Sequence, residues 1–355
     1  MKSRLVVLTI VVFSFLPPGV DAQLTPKATI KGRVLDDSTG APLPLANIFV
    51  SNSSIGTAAN AEGKFELHGV PVGTQQIYAS IVGYIPSSFT ANFTDSLVHI
   101  VTFRLKARPV QMPGVDVEEK DPVEWKANLA RFIKAFFGST PNAALCRILN
   151  PQMLDFSYEE DASRLVASAR EPLEIENMAL GYRFQCVIVL FTQSPQSFQY
   201  LGFTGFRPLV SKSADETDRW KANRRIAYYG SKRHFLQALM KKTIKEEGFE
   251  INGVRREWLA SALLRPYGYS VDINALISAG DASYEKKLTF QDLLQVVYTR
   301  ASRAQISLLE MNGLSVSIFS NGLTANPLGL YTYGFWSTQR GAEMLPLDYE
   351  PEHAP

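Results

Sequence analysis

The chain has 355 residues, of which 46% are hydrophobic and 20% are charged, and its formal net charge at pH 7 is +2. This length accommodates two domains of ordinary size, and the composition is that of a globular protein and not of a disordered one. A nearly neutral protein has no overall field that holds nucleic acid. We therefore expect no nucleic-acid partner.

Residues 1–22 have the organisation of a secretory signal peptide. Lys2 and Arg4 precede an apolar run, Leu5–Leu16, and the small residues of Val20–Ala22 suit a signal peptidase. The run is shorter than the roughly 20 residues that span a bilayer. The sequence predicts a cleaved signal, an exported protein and no transmembrane segment in the mature chain; an uncleaved amino-terminal anchor is the alternative.

The stretch that follows the leader has the pattern of short β-strands. Ile30, Gly32 and Val34 alternate with Lys31 and Arg33, which is the period-two pattern of a half-buried strand. Further strands are predicted at 46–50, 64–68, 75–82 and 99–105. Turn residues separate them, and short strands at this spacing favour a sandwich. An all-β sandwich is predicted for residues 28–107.

Three segments of this stretch carry a family resemblance: IKGRVLDDSTGAPLPLANIFV, GTAANAEGKFELHGVPVG and the closing SIVGY. Together they resemble the carboxypeptidase regulatory-like domain, which is a transthyretin-like sandwich. Domains of this family often stand at the amino terminus of Gram-negative envelope proteins, including TonB-dependent receptors. The resemblance therefore implies a Gram-negative cell, with the protein in the periplasm or at the cell surface.

The family name does not bring peptidase activity with it. A metallocarboxypeptidase needs His and Glu ligands at metal-binding spacing around zinc. The four histidines of the chain are His68, His99, His234 and His353. None stands in such a spacing, so we expect no metal site and no cofactor.

Residues 108–121 contain two prolines and a run of charges, which indicates a linker. A second domain is predicted at 122–350. It opens with a helix that starts at Pro122, carries Phe132, Ile133 and Phe136 on its inner face, and ends at Gly138. Strand patterns dominate after this helix, so the second domain is expected to be α+β with a mainly antiparallel sheet.

Two strand predictions in this domain are specific. The run Phe184–Phe191 is apolar on both faces, which predicts a central strand covered on each side. Asn312-Gly313 favours a type I′ turn, which predicts a hairpin between Gln305–Met311 and Leu314–Phe319. The segments NAALCRILNP and EPLEIENMALGY also resemble the carboxyl-terminal region of exported proteins that share the first domain, but this resemblance brings no activity with it.

Cys146 and Cys186 are the two cysteines of the chain. In an oxidising compartment a disulfide between them would close a loop of about 40 residues. Two buried thiols are the alternative. Neither cysteine belongs to a CxxC motif, so a redox or zinc site is not expected.

The most distinctive chemistry lies between Arg219 and Lys245, where nine cations occur without an acidic residue. Gly230 is expected to split this segment into two helices, with Ser231 capping the second. A candidate anion site combines the amino terminus of that helix with neighbouring cations. Its members are Arg224, Arg225, Ser231, Lys232, Arg233 and His234. The alternative is an ordinary solvated face on two amphipathic helices.

Other candidate sites are less specific. Tyr331, Tyr333 and Trp336 could line a sugar-binding face, since aromatic rings stack on sugars, although burial in the core is the alternative. Carboxylate pairs such as Glu174 with Glu176 could serve a glycosidase, but charged strand edges explain them better. No nucleophile elbow, P-loop or dinucleotide fingerprint is present.

The leading functional hypothesis is an exported cell-envelope protein with a binding, scaffolding or assembly role and no catalytic motif. Its partner would be an envelope protein or a glycan. The alternative is a hydrolase of glycan or peptide whose site lies in the second domain, with the sandwich as an accessory module.

Overall fold

The computed structural model describes residues 27–93, 98–108, 122–281 and 285–351. The predicted signal peptide, residues 109–121 of the predicted linker and His353 lie outside the described residues. In this structure an amino-terminal β-sandwich is followed by a second, sheet-rich domain with helices. The predicted fold class is confirmed.

The first domain consists of eight strands and has no helix among its described residues. Its strands are β1 (Lys27–Asp36), β2 (Asn47–Val50), β3 (Gly56–Ala58), β4 (Lys64–Pro71), β5 (Gly73–Ser80), β6 (Tyr84–Ile85), β7 (Ser87–Phe93) and β8 (Val98–Ala107). They form two four-stranded sheets, with the orders β4-β1-β8-β6 and β3-β2-β5-β7. The core lies between these sheets.

The alternation predicted for β1 is present. Ile30 and Val34 are fully buried, while Lys31 and Arg33 are exposed on the opposite face. β1 pairs with β4 in antiparallel and with β8 in parallel orientation. Strand β7 is absent from the sequence-based prediction because four of its seven residues are Ser, Thr or Asn, which are typical of loops.

The second domain contains both helices and strands, with six strands between its first and second helices. Its helices are α1 (Pro122–Phe137), α2 (Ala214–Tyr228), α3 (Lys232–Lys241), α4 (Leu259–Ala262), α5 (Ile273–Leu276) and α6 (Phe335–Thr338). Its strands are β9 (Cys146–Ile148), β10 (Leu154–Glu159), β11 (Arg164–Ala169), β12 (Leu173–Asn177), β13 (Tyr182–Gln193), β14 (Phe198–Pro208), β15 (Phe249–Val254), β16 (Tyr269–Ser270), β17 (Ile277–Ala279), β18 (Glu285–Leu288), β19 (Leu293–Tyr298), β20 (Gln305–Met311), β21 (Val316–Phe319) and β22 (Leu330–Gly334).

Helix α1 packs on a sheet with the order β10-β11-β13-β12-β9, and β14 pairs with β13. Phe132 and Phe136 face this sheet and are buried, as predicted, whereas Ile133 is 39% exposed and does not belong to the core. The helix ends before Gly138, whose φ of +83° is one that glycine adopts at little cost.

Strand β13 lies inside this sheet, as predicted, but the expectation that both of its faces are covered is wrong. Phe184 and Phe191 point into the core, while Val189 on the other face is 53% exposed. The first domain covers only part of that second face. There the Phe49 ring lies so close to Gly205 that a Cβ at Gly205 would stand 2.9 Å from it.

The second sheet of this domain has the order β16-β15-β19-β20-β22, and β17, β18 and β21 form a third, small sheet. The predicted hairpin at Asn312-Gly313 is wrong, because β20 and β21 belong to different sheets. β19 and β22 occupy the two edges of β20, and β21 pairs with β18 instead. Only Gly313 of the two turn residues has a positive φ, so the type I′ geometry is also absent.

The two domains are joined by backbone hydrogen bonds. Asn52 of the first domain donates its N–H to the Thr204 carbonyl (2.6 Å), and Phe206 donates to the Ser53 carbonyl (2.9 Å). The segment that follows α6 contacts the same loop from its other side: Leu347 donates to the Asn52 carbonyl (2.8 Å) and Ser54 donates its N–H to Asp348 Oδ1 (2.7 Å). The loop 51–54 is therefore held between β14 and the carboxyl-terminal segment.

Candidate functional site

The segment predicted as an anion site has the expected secondary structure. Helices α2 and α3 are separated at Gly230, and Ser231 is the N-cap of α3, where its Oγ accepts a hydrogen bond from the His234 N–H (3.2 Å). This bond satisfies a donor that the first helical turn would otherwise leave without a partner. Ser231 therefore acts as a cap.

Arg224 of this segment points into the protein. Arg224 donates to the carbonyl oxygens of Leu180 (2.6 Å) and Gly181 (3.2 Å), and its guanidinium lies 4.1 Å from the centre of the Tyr182 ring. These interactions use the face and the edge of the guanidinium. Arg224 therefore anchors the turn before β13.

Arg233 makes a larger set of internal bonds. Its guanidinium donates to the carbonyls of Asn321, Pro346, Leu347 and Tyr349, three of which lie in the carboxyl-terminal segment. Its partners are backbone carbonyl oxygens more than 80 positions away in the chain. Arg233 therefore holds the segment that in turn contacts the first domain.

His234 is buried among aromatic rings and has both ring nitrogens in use. Nδ1 accepts the Gly230 N–H (3.1 Å), and Nε2 lies 3.1 Å from Glu247 Oε2. Burial lowers the pKa of His234, although the hydrogen bond to Glu247 opposes this effect. A neutral imidazole with Nδ1 as acceptor therefore donates from Nε2 to the carboxylate.

Of the six predicted residues, only Arg225 is exposed, and Lys232 is half-buried, which lowers the pKa of its ammonium group. Three of the six residues, Arg224, Arg233 and His234, direct their polar atoms to groups of the protein itself. Anion binding by this segment stays a prediction, and the internal contacts of Arg224, Arg233 and His234 favour a structural role.

The disulfide between Cys146 and Cys186 is not formed, and both cysteines are free. Strand β12 lies between β9 and β13, which separates the two cysteines by at least about 10 Å across the sheet. A disulfide requires a Cα separation below about 7 Å. Burial raises the pKa of each thiol to about 12, so neither is a reactive thiolate at neutral pH.

The predicted sugar-binding face is not formed either. Trp336 is buried and donates its Nε1 hydrogen to the Gly230 carbonyl (2.7 Å), and the Tyr333 hydroxyl donates to Glu310 (2.5 Å). Tyr331 is 40% exposed. The carboxylate pair is likewise structural: Glu176 accepts from Arg147 and Arg183, which hold its pKa below the usual range.

An aromatic surface pocket is present elsewhere on the second domain, with a volume of about 780 Å³. It is lined by Arg255, Trp258, Pro266, Tyr267, Gly268, Tyr269 and Asp292. We call it the aromatic pocket. Its volume lies within the range of small-molecule sites, roughly 300–1,000 Å³.

One buried side-chain amide holds the loop that carries Tyr267 in the aromatic pocket. The Gln295 side chain, on the central strand β19, is fully buried and donates to the Ala262 (2.5 Å) and Arg265 (2.9 Å) carbonyls. Its Oε1 accepts from the Tyr267 N–H (2.9 Å) and from Asn252 Nδ2 (3.1 Å). All four hydrogen-bonding positions of the amide are used, which fixes the loop that carries Tyr267 over the sheet.

Two glycines make room for the outer tyrosine. Tyr269 pairs with Gly253 in the β15–β16 ladder, and a Cβ at Gly253 would lie 2.2 Å from the Tyr269 ring. Gly268 has a φ of +132°, and a Cβ there would lie 2.2 Å from the Gly253 carbonyl oxygen. The ring of Tyr269 can therefore lie flat along the strand with 44% of the residue exposed.

Charged groups stand beside the rings. Arg255 lies 5.3 Å from the Trp258 ring centre, and the Trp258 and Tyr267 rings meet edge to face at 5.3 Å. The Tyr269 hydroxyl donates to Asp292 Oδ2 (3.3 Å). Burial, the Asp292 charge and this hydrogen bond raise the pKa of Tyr269. The pocket thus offers apolar ring faces together with one cation and one carboxylate.

The aromatic pocket holds few charged groups. Among the described residues that line the aromatic pocket, Asp292 is the single carboxylate, and none is a Ser, Cys or His nucleophile or base. Within the described parts of the chain, no group of three or more His, Cys, Asp or Glu side chains could hold a metal ion. Nor is any described helix long and apolar enough to cross a membrane.

The sequence does contain a signal for this pocket. Pro266–Tyr269 reads PYGY, in which two tyrosines occupy a turn rich in Pro and Gly, where burial is less common than in a strand. Trp258 precedes it by eight positions. Asp292, in contrast, is brought to the pocket by the fold, and nothing in its sequence neighbourhood indicates that role.

Comparison with known proteins bears on the first domain. Residues 30–117 match the family described as CarboxypepD_reg-like domain. The first domain is a carboxypeptidase regulatory-like domain. The match extends ten residues beyond the end predicted at 107 and covers a minor part of the chain. No curated protein matches the chain.

Solved structures show only distant likenesses. A 3-chlorocatechol 1,2-dioxygenase from Rhodococcus opacus 1CP is similar at 11% identity with a TM-score of 0.22, over 25% of this chain and 62% of that one. The group B streptococcus pilus 2b backbone protein is similar at 17% identity with a TM-score of 0.20, over 22% of this chain and 41% of that one. This chain thus spans less than two thirds of each of these proteins. Likenesses at this level carry no functional conclusion.

Proposed function

We propose that this protein is an exported cell-envelope protein of a Gram-negative cell that binds a carbohydrate in the aromatic pocket. The observation that carries the proposal is the exposure of Tyr269 beside Trp258 and Tyr267, in a pocket that also offers Arg255 and Asp292. Aromatic faces stack on the apolar faces of sugar rings, and a carboxylate and a guanidinium accept from and donate to sugar hydroxyls.

Export is supported by the leader-like residues 1–22 and by the carboxypeptidase regulatory-like domain. The first domain is hydrogen-bonded to the second through the loop 51–54, so in this proposal it acts as a fixed accessory module. The glycan therefore binds to a rigid two-domain protein in the periplasm or at the cell surface.

The pocket favours binding over hydrolysis. A glycosidase of the usual kind needs two carboxyl groups on opposite sides of the scissile bond. Asp292 is the one carboxylate among the described lining residues, and the carboxylates of Glu159 and Glu176 are engaged by arginines. The protein is accordingly proposed to be a binding protein without turnover.

The binding proposal is tested on a glycan array with the chain from Gln23 onward, followed by calorimetry on the sugars retained. Trp258→Ala and Tyr269→Ala should each weaken binding about tenfold, which corresponds to about 1.4 kcal/mol. Tyr331→Ala is the matched control, because Tyr331 is 40% exposed but does not line the pocket. Equal loss in all three variants, or no retained sugar, would contradict the proposal.

Export and the absence of turnover have separate tests. Expression of the whole chain in a Gram-negative host should yield periplasmic protein whose amino terminus, read by mass spectrometry, is Gln23. Retention of Met1 in the cytoplasm would refute export. Release of reducing ends from a bound glycan, abolished by Asp292→Asn, would instead identify a hydrolase.

A further inference from the structure

The outer face of the sheet β4-β1-β8 carries an excess of positive charge. Exposed cations point outward from all three strands. Those that define this surface are Lys31 and Arg33 on β1, Lys64 on β4, and Arg104 and Lys106 on β8. We call the surface that these residues form the basic sheet face. Because the whole chain has a formal charge of only +2, this excess is local.

The strand registers place like charges side by side. Arg33 pairs directly with Lys64 across β1 and β4, and Arg104, which pairs with Leu35, is the diagonal neighbour of Arg33. Directly opposed side chains have Cβ atoms about 5 Å apart and diagonal ones about 7–8 Å, and like charges at such positions repel. This repulsion destabilises the isolated sheet, and a negatively charged surface bound to the face would relieve it.

Within the three strands themselves, little of this charge is balanced by carboxylates. Glu66 is the one carboxylate at an outward position of the three strands, and it is already shared by Lys31 and His68. No described residue forms an ion pair or hydrogen bond with the side chain of Arg33, Lys64, Arg104 or Lys106. These four cations are therefore open to an external anion.

Aliphatic side chains lie on the same face as the cations. On β8, Ile100 is 85% and Val98 is 54% exposed, and they precede Arg104 and Lys106 at outward positions. The outward positions of the described strands hold no Phe, Tyr or Trp, which are the residues that stack on bases or sugar rings. A partner with both negative charge and apolar groups fits this surface better than nucleic acid or a glycan.

The size and shape of the face also favour an extended partner. Three strands about 4.8 Å apart span about 10 Å, and the distance from Ile100 to Lys106 along β8 is about 20 Å at about 3.3 Å per residue. A single small anion would contact two of these cations at most. A planar array of negative charges can face all of them.

We propose that the basic sheet face binds the surface of an anionic phospholipid bilayer, with Ile100 and Val98 entering the interface and the cations facing lipid phosphates. This interaction holds the protein peripherally, by charge and shallow apolar contact. It is a second binding surface, on the other domain from the aromatic pocket, and it does not depend on the carbohydrate proposal.

The test is cosedimentation of the chain from Gln23 onward with phospholipid vesicles. One set of vesicles is phosphatidylcholine alone, and the other is an equimolar mixture with phosphatidylglycerol. Wild type should bind only the mixed vesicles and should be released at about 0.5 M NaCl, where screening is strong. The triple variant Arg33→Gln, Lys64→Gln, Arg104→Gln should bind at least about tenfold more weakly.

A charge-matched control separates this face from net charge. Arg225→Gln, Lys241→Gln and Lys245→Gln remove the same number of exposed cations from the second domain and should leave vesicle binding unchanged. Ile100→Ser should weaken binding several-fold while it leaves the charge intact. Thermal unfolding should show that the sheet-face triple variant is folded, with an unchanged or raised Tm because repulsion is removed.

Three results would overturn the proposal: equal loss of binding in the two triple variants, no binding of wild type to the mixed vesicles, or retention on an acidic polysaccharide in place of vesicles. Glycan binding at the aromatic pocket is measured on the same variants. Its persistence when vesicle binding is lost shows that the two surfaces act separately.

Discussion

The basic segment from Arg219 to Lys245 and the aromatic pocket are opposites in how they use their polar groups. In the basic segment, Arg224 and Arg233 donate to backbone carbonyls of distant turns, and His234 has both nitrogens bonded. In the aromatic pocket, a fully buried Gln295 makes the internal bonds, and the side chains that it positions stay accessible. The first region uses its charged side chains for internal hydrogen bonds, whereas the second leaves Tyr269 44% exposed.

This difference shows that the type of residue does not establish whether its side chain is available to a ligand. A cluster of cations is conspicuous in a sequence, but guanidinium groups are also the strongest donors for carbonyls that secondary structure leaves without partners. Four substitutions, taken in decreasing order of their effect, test whether the two regions differ in this way.

Gln295→Leu should lower the free energy of unfolding by about 4 kcal/mol, because a fully buried amide with four hydrogen bonds is replaced and its partners lose them. Urea denaturation measures this loss. Gln291→Leu is the matched control: Gln291 is exposed four positions earlier, so its effect should stay within about 0.5 kcal/mol. Similar values for both would mean that Gln295 does not support the pocket.

Arg233→Met should lower the free energy of unfolding by about 2–3 kcal/mol, since four carbonyl oxygens lose a charged donor but some can be rehydrated. Limited proteolysis should also cut residues 346–351 faster than in wild type. Arg225→Met, at the exposed cation, should change neither quantity. If the segment is instead an anion site, Arg225→Met should weaken binding to acidic polymers more than Arg233→Met does. The two variants should then be equally stable.

His234 predicts a pH dependence of stability. Because burial depresses its pKa in the folded state below about 6.5, the unfolded chain takes up the proton first as the pH falls. The neutral imidazole therefore makes its full contribution to the free energy of unfolding above about pH 6.5. Below that pH the contribution is lost, by up to about 1.4 kcal/mol per pH unit. His234→Gln should flatten the unfolding free energy between about pH 7 and 5 relative to wild type. If the two proteins show the same pH dependence, the folded state binds the proton as readily as the unfolded state does.

Tyr269→Phe should have the smallest effect. It keeps the ring face and removes only the hydroxyl that donates to Asp292, so sugar affinity should fall about two- to threefold with stability unchanged. Calorimetry with the best sugar from the array measures this change. A loss as large as that of Tyr269→Ala would show that the hydroxyl, and not the stacking face, provides the binding energy.

The features that the sequence predicts correctly are those that depend on near neighbours. The alternation around Ile30, the N-cap at Ser231 and the helix end at Gly138 are each specified by residues within one turn or strand. The carboxypeptidase regulatory-like domain is recognisable for the same reason, since its turns and strands follow one another in order.

The features that escape prediction depend on distant partners. The Asn312-Gly313 turn favours a hairpin locally, but β19 and β22 already occupy the edges of β20. The availability of Arg233 is decided by carbonyls more than 80 positions away. The aromatic pocket needs Gln295 to hold a loop some 30 positions earlier, and no local pattern encodes that contact.

The bonds between Ser54 and Asp348 have a consequence for the order of events during synthesis. Their two partners are 294 positions apart, so the sandwich can complete its own core long before its docking partner is made. Phe49 and Tyr78, which contact β14 in the finished protein, face solvent until β14 has been made and has docked. A nascent chain paused before that point presents an exposed aromatic patch, so a chaperone would protect it at this stage.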